Sequence, residues 1–274
     1  MLRLGWFSTA RGQTSGKLLT AVQERIQSGE LDARIEVVFC NRERGEDANT
    51  DKFLDLVRSY GLPLICLSYR NFRHERGLPP APSEGPLPPW RREYDAEIIR
   101  LLAPYDFDLV MLAGYMLVAS DLLCQRYDML NLHPAAPGGP KGMWQEVIWQ
   151  LIAARASHSG VSIHLATPEL DAGPTVTYCL YPIRGPEFDQ LWQQLEQRTL
   201  EEIKASEGET NPLFQKIRQQ GVTRELPMVG ETLRSFAEGA LKISGKQVHD
   251  RQGCPISGLD LTAQIEGMVA RSGV

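Results

Sequence analysis

The chain has 274 residues, 42% of them hydrophobic and 23% charged, an ordinary balance for a folded α/β protein. Its net charge of −5 gives no basic field to attract nucleic acid or an anionic membrane, and no apolar run approaches the ~20 residues of a membrane helix. The five cysteines, Cys40, Cys66, Cys124, Cys179 and Cys254, are scattered, with no CxxC or zinc spacing; they read as reduced thiols of a cytoplasmic protein.

The start is too short and too soon broken for a signal peptide, and Leu2–Phe7 reads as a first buried strand. A loop, Ser8-Thr9-Ala10-Arg11-Gly12-Gln13-Thr14-Ser15, then leads into a helix over Ser15–Gln27. The free N–H groups at such a helix start suit an anion, and Gly12, Gln13, Thr14 and Ser15 are the phosphate candidates. The glycine spacing fits neither a Walker A loop nor GxGxxG. A plain turn capped by Thr14 or Ser15 remains the alternative. Arg34–Cys40 reads as a strand, Asp51–Tyr60 as a helix and Leu62–Leu67 as a strand. Gly77–Pro89 is Pro-rich and reads as an extended surface loop. Glu93–Leu102 reads as a helix; Phe107–Leu112 and Met129–His133 read as strands, and Trp144–Ala154 as a helix. Gly160–Ala166 and Thr175–Ile183 read as a strand pair, and the polar stretch near 197–224 as a helical excursion on the surface. Pro227–Glu238 reads as a helix, and Leu241-Lys242-Ile243 and Lys246-Gln247-Val248 as a hairpin turning at Ser244-Gly245. Strands alternating with helices in this way imply a mostly parallel, Rossmann-like sheet with helices on both faces, followed by C-terminal helices and a hairpin. Ligands of such sheets bind beyond the carboxyl ends of the strands.

Two segments carry chemistry. Asn131 and His133 lie two apart on a strand, so their side chains share one side. Asp171 precedes Gly173-Pro174 in a loop. An amide donor, an imidazole and a carboxylate are what acyl transfer to an amine requires: two groups for an oxyanion and one to orient the imidazole or take a proton. Taken singly, a strand-end His is a capping residue and an Asp before Ala-Gly-Pro a turn former.

Four blocks in order change that reading: Asp108-Leu109-Val110-Met111-Leu112-Ala113-Gly114-Tyr115-Met116, Asn131-Leu132-His133-Pro134, His158-Ser159-Gly160-Val161-Ser162-Ile163-His164 and Glu169-Leu170-Asp171-Ala172-Gly173-Pro174. With Phe236–Ile243 near the C-terminus, this series resembles the folate-dependent formyltransferase superfamily, most closely its glycinamide ribonucleotide formyltransferase branch. The resemblance implies one formyltransferase-like domain over 1–262, with the loop at 77–89 and the segment near 197–224 as insertions and 263–274 as a tail. It implies 10-formyltetrahydrofolate as formyl donor, a phosphorylated amine such as glycinamide ribonucleotide as acceptor, and no metal. Asn131, His133 and Asp171 would be catalytic. Met116, Leu117, Val118 and Ala119, with Thr167, Glu169 and Leu170, would hold the pterin largely through backbone groups. Arg91, next to Arg92, would reach the carboxylated folate tail, Glu225 would meet the ribose, and His164 would be a packed strand residue. Leu117 stands where the family often has Arg, and the loop Pro134–Gly142 departs from the family pattern; Trp144 beside it either lines the acceptor pocket or packs. The partners implied are small molecules, without nucleic acid or membrane, and a homodimer is left open.

The alternatives are a formyltetrahydrofolate hydrolase, which usually carries an extra N-terminal domain, and a formyltransferase for another amine such as an amino sugar. A methionyl-tRNA formyltransferase would need a C-terminal barrel and a basic face. A non-catalytic folate-binding relative would not need Asn131, His133 and Asp171 intact.

Overall fold

The structure, a computed structural model, describes residues 1–80 and 86–271. In chain order the elements begin with β1 (Leu2–Ser8), α1 (Gln13–Gln27), β2 (Ala33–Cys40), α2 (Ala48–Ser59), β3 (Leu64–Cys66) and α3 (Tyr69–Glu75). There follow α4 (Trp90–Leu102), β4 (Leu109–Leu112), α5 (Asp121–Arg126), β5 (Met129–His133), α6 (Trp144–Ala153), β6 (His158–Leu165) and β7 (Thr175–Pro182). The rest are α7 (Asp189–Gln193), α8 (Leu200–Ser206), a 3-10 turn at Gly208–Thr210, α9 (Pro212–Ala237), the hairpin strands β8 (Leu241–Ser244) and β9 (Gln247–Asp250), β10 (Leu259–Asp260) and α10 (Thr262–Arg271).

The chain divides into two compact units. The first comprises Met1–Asn131, Leu165–Pro174 and Leu233–Ile256; the second comprises Leu132–His164, Thr175–Thr232 and the residues from Ser257 on. In the first unit the strands run parallel in the order β5-β4-β1-β2-β3. Pairing leaves β1 in opposite directions toward β2 and β4, so the loops after β1 and β4 flank the switch point where such sheets take their ligands. Phe7, Phe39, Val110, Leu112 and Met129 pack on one face against Phe72 of α3, Tyr94 and Ile98 of α4 and Leu123 of α5. Leu4, Trp6, Met111 and Leu130 alternate to the other face and are equally buried; the buried residues of α1 (Leu18, Leu19, Val22) and α2 (Phe53, Leu54, Val57) lie outside the first cluster. This is the expected mostly parallel sheet with helices on both faces. The β8–β9 hairpin turns on Gly245 and Lys246, both at positive φ, one residue later than the sequence suggests. Lys246 Nζ donates to the Tyr127 carbonyl (2.9 Å) and pairs with Asp128 (2.6 Å).

In the second unit β6 and β7 pair antiparallel, as expected, and β10 adds to β7 in parallel. Its core is formed by Val147, Ile148 and Leu151 of α6, Val161, Cys179 and Tyr181 of the strands, Trp192, and Leu213, Phe214, Ile217 and Met228 of α9. Three expectations are corrected here. The polar stretch near 197–224 is a surface excursion only in its first half, where α8 and the 3-10 turn bury Ile203 alone; α9 begins at Pro212, buries Leu213, Phe214 and Ile217, and runs without a break through Pro227 to Ala237. Proline removes a backbone donor within a helix, but Met228, Val229 and Leu233 beyond it are fully buried, and packing outweighs the local preference. Residues 263–271 of the expected tail are instead helical, part of α10, which lies against β7 and buries Ile265. Within the Pro-rich loop, 81–85 lie outside the described residues, and α4 starts at Trp90, earlier than expected. No described helix is long and apolar enough to cross a membrane.

Candidate active site

The phosphate candidates sit where β1 hands over to α1. Ser8 Oγ donates to the Ala113 carbonyl (2.8 Å) and accepts from Ala10 N–H (3.0 Å). Thr9 N–H donates to the Gly114 carbonyl (3.0 Å), and Thr9 Oγ1 accepts from Met116 N–H (2.8 Å). The two switch-point loops are therefore bolted together by Ser8 and Thr9. On the far side Thr50 Oγ1 donates to the Ala10 carbonyl and Asn49 Nδ2 to the Arg11 carbonyl. Gly12, not Thr14 or Ser15, is the N-cap of α1; it supplies no side-chain cap, and the first turn carries no acid. Gly12, Gln13 and Thr14 are exposed, whereas Ser15 is buried. Ser15 turns under Gly114: a Cβ at Gly114 would meet Ser15 Oγ at 2.7 Å, and Gly114 has φ +70°. The first turn thus offers backbone N–H groups and the positive end of the helix dipole, with Ser15 as packing.

The cofactor candidates follow directly. Met116 is exposed, Leu117 and Val118 are half-buried and Ala119 is buried. Arg91 is not aimed at solvent. It is 1% exposed, and its Nη2 donates to the Val118 carbonyl (2.8 Å) and lies 3.4 Å from Asp95, itself 0% exposed. Asp95 Oδ2 accepts from Ser120 N–H (2.7 Å). Burial pushes the Asp95 carboxyl above its usual range, against the Arg91 charge and the Ser120 hydrogen bonds. The expectation that Arg91 reaches outward to a carboxylated tail is corrected by this burial. Arg92 is the exposed neighbour, paired with Asp121 (3.0 Å).

Asn131 lies near the end of β5 and donates from Nδ2 toward Asp171 Oδ1 at 3.5 Å. Asp171 takes a left-handed φ of +50°, which Asp tolerates better than most residues. The loop before it is held by Thr167 Oγ1 donating to the Glu169 carbonyl (2.8 Å), and Leu170 is exposed. Gly173 is required: a Cβ there would stand 1.7 Å from the Leu165 carbonyl oxygen.

His133, two residues past Asn131 on the same strand, belongs to the second unit and is 7% exposed. Its Nε2 lies 2.8 Å from the Pro140 carbonyl. A carbonyl only accepts, so Nε2 carries the proton. His164 on β6 sits edge-on to His133, ring centroids 5.9 Å apart, and a ring nitrogen of each lies within 4.8 Å of the other, close enough to share a metal ion. Trp144 packs on Phe214 and under the Arg218 guanidinium (4.5 Å). Glu225 is buried on α9 and paired with Arg218 (2.6 Å). Cys40 and Cys179 are pushed up to about 12 and Cys66 and Cys124 to about 11, each by burial first. None of these thiols is a nucleophile at neutral pH.

Thr9, Asp95 and Pro140 were not singled out by sequence reasoning. Asp95 stood in the Tyr94-Asp95 pair beside Arg91, four residues apart on a helix, which was the available signal. Nothing in the sequence marks the Pro140 carbonyl.

The sequence profile of a family described as "Formyl transferase" matches residues 12–205. Phosphoribosylglycinamide formyltransferase of Escherichia coli (strain K12) is 33% identical over 172 residues, 62% of this chain and 69% of that protein. The enzyme of the same name from Dictyostelium discoideum is 25% identical over 205 residues, 69% of this chain and 91% of that one. The solved structure of phosphoribosylglycinamide formyltransferase from Coxiella burnetii superposes with a TM-score of 0.64 at 22% identity, over 94% of this chain and 98% of that one.

Proposed function

This chain belongs to the formyl transferase family, and on that premise we propose that it moves the formyl group of 10-formyltetrahydrofolate onto the amine of glycinamide ribonucleotide. The observation that carries the proposal is the ordered set on and beside β5: Asn131 turned toward Asp171, with His133 two residues on. As the amine attacks the formyl carbon, charge develops on its oxygen. The Asn131 amide donates to that oxygen, and so does His133 as the imidazolium, from Nδ1, while its Nε2–H stays on the Pro140 carbonyl. Asp171 accepts from Asn131 and takes up the proton that the attacking amine must lose, passing it toward the departing folate nitrogen. No covalent enzyme intermediate is needed.

The donor's pterin would lie against the backbone of Met116–Ala119 and of Thr167–Leu170. The acceptor's phosphate would rest on the first turn of α1, at Gly12–Thr14. Glu225 is available to a ribose only if it leaves Arg218, so it is the weakest of these assignments. The test follows loss of 10-formyltetrahydrofolate with and without glycinamide ribonucleotide. Consumption that depends on the acceptor, with formylglycinamide ribonucleotide as product, supports the proposal; equal consumption without acceptor would make the chain a hydrolase.

A further inference from the structure

We propose that Arg91 and Asp95 are positioning residues: together they clamp the C-terminal end of the folate loop and hold its backbone in the binding conformation. The proposal rests on the reading of Met116–Ala119 as the pterin site. Arg91 Nη2 donates to the Val118 carbonyl (2.8 Å), and Asp95 Oδ2 accepts from the Ser120 amide (2.7 Å). One ion pair on one helix face, with Nη2 and Oδ1 3.4 Å apart, thus grips a carbonyl and an amide two residues apart in the loop. Both side chains are sealed from solvent, at 1% and 0% exposure. The rings of Tyr69, Trp90 and Tyr94 stand 5.3–5.9 Å from the Arg91 guanidinium and close it off.

Stability alone does not account for the pair. A buried ion pair is often no better than apolar residues of the same volume. This one is also poorly satisfied: Asp95 Oδ1 meets Arg91 only at the long 3.4 Å of the ion pair, and Arg91 Nη1 is buried with no partner in good hydrogen-bonding geometry. What the pair does supply is fixed backbone geometry, and a ligand read by backbone groups needs the backbone to be fixed. A loop that spends only a tenth of its time in the binding conformation loses about tenfold in apparent affinity.

The experiment uses the full chain with Arg91 and Asp95 both replaced, Arg91→Met/Asp95→Leu, so that no buried charge is left unpaired and the fold survives; a melting curve checks this. Binding of tetrahydrofolate is measured by titration, alongside steady-state kinetics. The clamp predicts a tetrahydrofolate Kd raised about tenfold, a donor KM raised in step, kcat at saturating donor within about twofold, and an unchanged acceptor KM. Amide hydrogen exchange over Met116–Ser120 should quicken. Tetrahydropteroate, which lacks the glutamate tail, should lose the same factor; a loss confined to the tailed ligand would mean that Arg91 reads the tail and would overturn the clamp. A double variant that melts like the wild type and binds tetrahydrofolate equally well would overturn it too. If the wild type itself fails to bind tetrahydrofolate, the functional reading falls instead, and the exchange rates alone decide whether the pair fixes the loop.

Discussion

The loops of the first unit and the loop Pro134–Gly142 of the second are built in opposite ways. In the first unit, distant residues hold the backbone: Ser8 and Thr9 reach more than a hundred residues along the chain to Ala113 and Met116, and Arg91 and Asp95 reach forward to Val118 and Ser120. The contacts of Pro134–Gly142 come largely from residues close by in the chain, among them His133 at the Pro140 carbonyl and Gln150 at the Lys141 carbonyl. Gly139 N–H donates to the Ala136 carbonyl (2.9 Å), Gly142 takes φ +102°, and Met143 N–H donates to Glu146 (3.0 Å). Ala136 fits against Gly160, where a Cβ would approach its Cα to 2.9 Å. A ligand read by backbone needs long-range bracing, whereas a locally closed loop can change sequence without disturbing the sheet. This loop, next to His133, is therefore a place where the architecture tolerates sequence change.

The comparison breaks first at the strand that leads from one unit into the other. His133→Ala should lower turnover by about two orders of magnitude or more, and Asn131→Ala similarly, the usual scale for losing an oxyanion donor or acid–base group. Tetrahydrofolate binding should survive, because the backbone of the first unit carries it. Near-normal transfer rates in either variant, measured by steady-state kinetics, would dismantle the mechanism.

The next effect is conformational. Gly173→Ala would put a methyl group 1.7 Å from the Leu165 carbonyl oxygen, so backbone has to move. The segment that moves carries Asp171. We expect about a tenfold loss in kcat/KM and a melting temperature lowered by about 5 °C. Unchanged kinetics would show that the Asp171 position is not critical.

A smaller and more selective effect is expected at Gly12. Its φ of −120° is open to any residue, and a Cβ there meets nothing within 4 Å. Gly12→Val should fold normally, crowd the first turn of α1 and raise the acceptor KM by about tenfold, with tetrahydrofolate affinity unchanged. Loss of folate affinity instead would break the assignment of this turn to the phosphate.

The strands were legible because buried parallel strands read as apolar runs, and the family was legible because the blocks that hold Asn131, His133 and Asp171 occur in order. The one- and two-turn helices α3, α5, α7 and α8 were not, since five to seven residues carry too little periodicity. Pro227 hid the continuity of α9, because the packing of Met228 and Leu233 is invisible in local sequence. Arg91 illustrates the same limit: a charged residue beside a site reads as a ligand contact until burial shows it facing Val118 and Asp95.

The smallest expected effect is none at all. Exhaustive chelation should leave turnover within about twofold, although His133 and His164 lie close enough to share an ion. His133 Nε2 carries the proton directed at the Pro140 carbonyl, so it offers no lone pair. A metal on Nδ1 would displace the proton that is assigned to the oxyanion. In the proposed mechanism both oxyanion donors are nitrogen-bound protons, and neither needs a Lewis acid beside it. Added zinc should therefore inhibit, if it acts at all, by occupying the imidazole pair. Activity lost to chelation and restored only by a divalent ion would make His133 a ligand, not a donor, and the oxyanion would then have to be reassigned to the metal.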